Sequence, residues 1–244
     1  MRSGNPSLND KTFTGLQRTG EVMTLGGTVN KTAILLALLM ITALYTWGTF
    51  FETRDPAVIQ PYLWGGIIGG LVLALITVFK KTWAPVTAPL YALAEGFAIG
   101  GISAFYEVQF EGIVIQAASL TFATLFALLM AYKTGLIKAT ENFKLGVVAA
   151  TGAIFLIYLV NFVLSFFDMP IGFIHESGTM GIIFSLVVVA VAALNLVLDF
   201  DFIESGVDQG APKYMEWYGA FGLVVTLVWL YLEMLRLLSK LKSD

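Results

Sequence analysis

Hydrophobic positions along this chain fall in seven long runs separated by short polar connections: roughly Thr32–Phe51, Tyr62–Phe79, Pro85–Tyr106, Ile113–Tyr132, Leu145–Phe167, Met180–Leu198 and Tyr214–Leu238. A helix needs about 20 apolar residues to cross the hydrocarbon core of a bilayer, and each run meets that length. Lipid offers no partner to a free N–H or C=O, and the runs are too long and too evenly apolar for barrel strands, so helices are expected. The connections, marked by Pro56, Pro61, Pro85, Gly112, Pro170, Gly178, Gly206, Gly210 and Pro212, leave no room for a soluble domain. Residues 1–30 form a polar tail without an apolar core of the signal-peptide kind, so the first span is expected to act as its own insertion signal. The pattern predicts an all-α polytopic membrane protein, a seven-helix transmembrane bundle in which residues 31–244 make one membrane domain. The last segment either crosses or re-enters.

Composition narrows the function. Of 244 residues, 57% are hydrophobic and 13% charged, with a net charge of -3 and a mean hydropathy of +0.81. A soluble enzyme, a disordered tail and a basic nucleic-acid binder are all excluded. The main partner is the lipid bilayer. The chain has no cysteine, hence no disulfide or thiolate site, and Arg2 excludes N-myristoylation. Its single histidine, His175, reads as an exposed loop residue beside Glu176. With no nucleophile elbow, no His-Glu-x-x-His helix and no phosphate-binding loop, the sequence reads as a non-enzyme without a cofactor.

Basic residues near span ends set orientation. With a cytoplasmic N-terminus, the inner segments hold Arg2, Lys11, Arg18, Lys31, Lys80, Lys81, Lys133, Lys138, Lys144 and Lys213. The outer loops hold only Arg54, against Glu52, Asp55, Glu107, Glu111, Asp168 and Glu176. Arg236, Lys240 and Lys242 run against this rule if the seventh span crosses completely. The expected location is a cytoplasmic membrane with the N-terminus inside.

A charge at a helix centre costs about 2.5–3.5 kcal/mol on insertion scales, so intramembrane acids are candidate sites by default. Glu95 lies mid-span with no base within a helical turn. Asp199 and Asp201 close the sixth span, where a solvated helix end is the preferred reading for Asp201 and Glu204; only Asn195 is strongly polar in the stretch before Asp199. Glu233 and Arg236, spaced i, i+3, either neutralise each other or carry function. The pairs Gly65/Gly69, Gly66/Gly70 and Gly96/Gly100 have the spacing of close helix packing.

The sixth span ends in Leu198-Asp199-Phe-Asp-Phe-Ile203, and the last carries Leu230-Tyr231-Leu232-Glu233. With the opening Arg2-Ser-Gly-Asn-Pro6, the stretch Met23-Thr-Leu-Gly-Gly-Thr-Val-Asn-Lys31-Thr and Gly210-Ala-Pro-Lys-Tyr-Met-Glu-Trp-Tyr218, the chain resembles the Bax inhibitor, or transmembrane Bax inhibitor motif, family, and a bacterial branch of it. The resemblance spans essentially the whole chain. It implies a pH-sensitive calcium leak in which two acids on the last two helices share a proton or hydrogen bond, calcium being the transported ion. Asp199 matches the first acid. For the second, the Leu-Tyr-Leu-acid pattern selects Glu233, whereas an ungapped alignment from the preceding loop places Thr226 where the family has aspartate. The alternative function is a membrane-embedded regulator that binds another membrane protein, such as a quality-control protease.

Overall fold

A computed structural model describes residues 20–167, 169, 171, 172 and 178–243. His175, Glu176, Asp168 and most of the polar tail lie outside the described residues. All seven apolar runs are helices: α1 Leu25–Thr53, α2 Pro56–Phe79, α3 Ala84–Gln109, α4 Ile113–Lys133, α5 Glu141–Ser165, α6 Thr179–Asp208 and α7 Met215–Ser243. All are long and apolar enough to span a membrane. The last segment is one uninterrupted helix of 29 residues, about 43 Å long at 1.5 Å per residue, which removes the re-entrant course.

Helix ends follow local chemistry that hydropathy does not register. Thr24 caps α1 by accepting from Gly27 N, so the helix starts seven residues before its apolar run. Arg54 takes a left-handed turn (φ 55°) to end α1. Asp55 then caps α2, with Pro56 in the first turn, where its missing N–H costs nothing. Thr140 accepts from Phe143 N and starts α5 at Glu141.

The chain divides into two compact units. One contains residues 20–111 and Ile203–Val225, which are α1 to α3 with the end of α6 and the start of α7. Here α3 packs against both α1 and α2. Small residues set the approach: a Cβ at Gly100 would press on the Ala43 carbonyl of α1, and one at Gly66 on the Ala94 carbonyl and Ala98 nitrogen of α3. Threonines on the buried face of α1 return their hydroxyls to their own helix, as Thr32 does to Thr28 O at 3.0 Å and Thr46 to Thr42 O at 3.2 Å, so they add no unmet polar group. Thr77 and Thr87 bond across α2 and α3 at 2.7 Å.

Two segments quoted above for the family resemblance meet in this unit. Met23 N donates to Ala211 O at 2.7 Å and Lys213 N to Glu21 O at 3.1 Å. Glu216, wholly buried, accepts from Thr24 N at 3.0 Å and Thr24 Oγ1 at 2.9 Å, and pairs with Lys31 and with Lys213 at 3.1 Å. A side chain at Gly27 would occupy the space of that carboxylate.

The other unit contains Gly112–Phe202 and residues 226–243, which are α4, α5, most of α6 and the second half of α7. Burial grades the helices: 11% of the most apolar stretch of α5 is buried against 61% of that of α7, so α5 leaves most of its apolar surface uncovered by the chain and α7 little.

The packing of α1 on α3 predicts a graded outcome. Gly100→Val should destabilise the protein by about 2 kcal/mol or more because backbone, not a movable side chain, fills the space. Gly65→Ala, where nothing lies within 4 Å, should be close to neutral. Thermal unfolding in detergent measures both, and equal losses would refute the assigned approach.

Candidate functional site

In the second unit α5 and α6 run antiparallel. Along α5, Lys144, Thr151 and Ile154 meet Asp201, Asn195 and the Val188/Val191 pair of α6 in turn. Lys144 follows from the Thr140 cap: a helix starting at Glu141 places it in the first turn rather than in the preceding loop. Its side chain is 4% exposed and its ammonium bonds Asp201 at 2.8 Å, with Glu141 at 3.7 Å. Asp201 is therefore held in an ion pair, not left as a simple solvated helix end, because a buried cation faces it.

One stripe of α6 carries Ser185, Val188, Ala192, Asn195 and Asp199, all buried. Asp199 has no exposed surface, and neither of its side-chain oxygens meets hydrogen-bond geometry. The Thr226 hydroxyl of α7 is the polar side chain that faces it. Asn195, one turn away, donates to Thr151 Oγ1 at 2.8 Å and Val191 O at 2.9 Å, leaving its own Oδ1 without a partner. Three carbonyl or carboxyl oxygens thus sit unpartnered on two adjacent turns. Buried polar atoms are rarely left so, since each costs about 1–3 kcal/mol without a partner.

Glu233 lies seven residues beyond Thr226, roughly 10 Å along α7. It accepts from Tyr158 of α5 at 3.1 Å and from Arg236 at 3.0 Å, while Arg236 also donates to the Tyr158 hydroxyl and lies 5.1 Å from its ring centre. One turn further, Lys240 donates to Gly181 O at 3.0 Å. The structure thus brings Thr226, rather than Glu233, to Asp199, and places Glu233 with Arg236. The basic residues that conflict with the charge rule for a crossing seventh span are in part engaged here.

An apolar layer lies between these two polar nodes. Ile154, Val188 and Val191 are buried together, with Ala150, Tyr158, Phe184 and Trp229 packed on them. Thr226, Trp229 and Glu233 follow one another on one face of α7, so the layer and both nodes share a single helix stripe.

Glu95 belongs to the other unit. Its carboxylate rests over Gly70 of α2, where a Cβ would lie 2.8 Å from Oε2, and Tyr91 is one turn away. It forms no ion pair among the described residues. No group of three His, Cys, Asp or Glu among the described residues is arranged to hold a metal ion.

A family model described as Bax inhibitor 1 like matches residues 5–243, almost the whole chain. The chain belongs to the Bax inhibitor 1 like family. No curated protein and no solved structure matches it. Membership and seven apolar helices together make it an integral membrane protein, of a family with a channel- or transporter-like character.

For this Bax inhibitor 1 like chain, sequence reasoning missed three participants. In the sequence Lys144 reads only as one of the bases of the inner segments, although the Thr140-Glu141 cap places it inside a helix. Asn195 stood out as the polar residue of its span but had no assigned partner. Tyr158 carries no sequence signal, since a tyrosine in an apolar helix commonly lies at an interface or in a core.

The Glu233 node yields a coupling prediction. Arg236→Met alone should destabilise by about 1–3 kcal/mol, the range softened because the guanidinium is partly exposed, and adding Glu233→Gln should recover much of the loss. Tyr158→Phe should be non-additive with Glu233→Gln, since the two share bonds. Denaturant unfolding in micelles measures the cycle; strict additivity would refute the node.

Proposed function

We propose that this protein is a pH-sensitive cation leak pathway, with calcium as the favoured ion, centred on Asp199. The observation that carries the reading is the wholly buried Asp199 carboxyl, unpartnered and one turn from the unpartnered Oδ1 of Asn195. Hard cations take oxygen ligands, and this stripe supplies carboxyl, amide and hydroxyl oxygens from Asp199, Asn195 and Thr226. A proton and a cation compete for the same carboxyl oxygens, which links flux to pH. A single carboxylate favours transit over storage, because conduction needs binding weak enough for the ion to leave.

The apolar layer of Ile154, Val188, Val191 and Trp229 supports a closed state, since a narrow hydrophobic layer excludes water and with it a hydrated ion. In this reading the latch is Asp199 with the Thr226 hydroxyl and Asn195, while Glu233 is occupied by Arg236 and Tyr158. Glu95 is a separate carboxyl of the other unit. The distribution of basic residues supports a cytoplasmic N-terminus in a bacterial cytoplasmic membrane, with the acidic outer loops raising cation concentration at the mouth. Nothing in the pathway calls for catalysis or a cofactor.

Reconstitution into vesicles loaded with a calcium dye tests the function. Wild type should admit calcium with a pH-dependent rate, and Asp199→Asn should lose or displace that dependence while still inserting. Thr226→Val should shift it in a manner coupled to Asp199→Asn, whereas Glu233→Gln should combine additively. Absence of flux at every pH would reject the leak and favour the regulator that binds another membrane protein. Cysteines placed at Asp55 and Glu107 should react with impermeant reagents outside intact cells, against a cysteine-free background; labelling only in inverted vesicles would reverse the orientation.

A further inference from the structure

We infer that Glu95 is a second intramembrane proton-binding site, separate from Asp199, whose carboxylic acid seats in a slot at Gly70 of α2 and is open to hydrophobic carbodiimides. Glu95 lies at the middle of α3. Its Oε2 fills the place that a side chain on α2 would take: a Cβ at Gly70 would come within 2.8 Å of it, and the Tyr91 ring borders the same gap at 3.9 Å. Among the described residues the carboxyl has no hydrogen bond and no ion pair. Unlike Asp199, which the chain covers completely, Glu95 keeps part of its surface uncovered.

The elements packed around Glu95 bring it no positive charge. On α1, Leu39, Thr42 and Ala43 pack against Gly96 and Gly100; on α2, Gly66 and Gly70 pack against Ala94, Ala98 and Glu95 itself. On the first part of α7, Phe221 lies edge-on to Tyr91. The titratable groups of this neighbourhood are tyrosines: Tyr91, one turn away and in electrostatic reach of the carboxyl, Tyr45 and Tyr62 on Phe97, and Tyr218 behind Phe221. The cation that precedes α3, Lys81, lies over the Tyr218 ring, roughly 20 Å back along the helix axis. An ionised carboxylate without a counter-charge is strongly disfavoured in hydrocarbon, whereas the protonated acid is neutral and gains a donor. Proton uptake is therefore how this seam retains an acid. Close packing over Gly70 needs no acid, since an apolar side chain fills a slot without desolvating a polar group.

Dicyclohexylcarbodiimide, added to the full-length protein in lipid vesicles, tests the site without reference to calcium, so the result stands apart from the leak reading. The acid O–H adds across one C=N bond, its proton going to nitrogen and its oxygen to the central carbon. The acyl group then moves to the other nitrogen, so the stable product keeps every atom of the reagent. Peptide mapping of wild type should find this adduct at Glu95 and none at Asp199, and labelling should fall as pH rises because the reaction consumes the acid proton. The adduct should vanish in Glu95→Gln and persist in Asp199→Asn. No adduct at Glu95 at any pH, or labelling of Asp199 in its place, would overturn the inference, and wild type alone gives that answer. Unfolding in detergent supplies a second readout. The folded acid holds a proton that the unfolded chain releases, so over the pH range where only the unfolded chain has lost it the unfolding equilibrium constant of wild type should rise tenfold per pH unit relative to Glu95→Gln. A difference between the two proteins that does not vary with pH would reject proton uptake. Gly70→Ala should destabilise wild type more than it does a Glu95→Ala protein, because the added Cβ meets a carboxyl only in the former; equal effects would remove the slot.

Discussion

Hydrocarbon offers no hydrogen-bonding partner, and that constraint organises the protein at every level. It forces all seven spans into helices, because only a helix satisfies its backbone within one segment. It returns the α1 hydroxyls to carbonyls one turn back. It also gathers the charges kept inside into nodes: Lys144 with Asp201, Glu233 with Arg236 and Tyr158, and Glu216 with Lys31, Lys213 and Thr24. A lone charge in such a medium costs several kcal/mol, a cost these pairings offset.

Against that background the unpartnered oxygens of Asp199 and Asn195 stand apart. They lie on the same stripe of α6 that elsewhere carries Val188 and Ala192. Their neighbours separate by chemistry along the helix. Toward the start of α5 stands the Lys144–Asp201 ion pair; in the other direction stand Ile154, Val188, Val191 and Trp229, and beyond them the Glu233 node.

The two segments that anchor the start of α1 to the start of α7 show a different use of the same physics. Glu216 binds a helix cap and two lysines at once, and Gly27 leaves the space for it. The family resemblance rests partly on these segments, and their spatial meeting gives them a common structural role: the carboxylate requires both stretches to be present together.

The amino-acid sequence by itself determined the helical class, the number of spans, the acidic and basic connections and the list of intramembrane acids, because apolar run length and the cost of buried charge are local properties of the chain. It determined the family as well, through the order of motifs along the spans. Which acids have partners was decided only by tertiary structure. Glu233 and Thr226 are two turns apart on one helix, and spacing alone does not say which faces Asp199; the register of α6 against α7 does. Lys144 became a buried counter-ion only when the Thr140 cap and the antiparallel seam of α5 and α6 carried it to Asp201. Contacts between helices distant in sequence depend on rotation about each helix axis, which a run of uniformly apolar residues leaves unspecified and packing fixes.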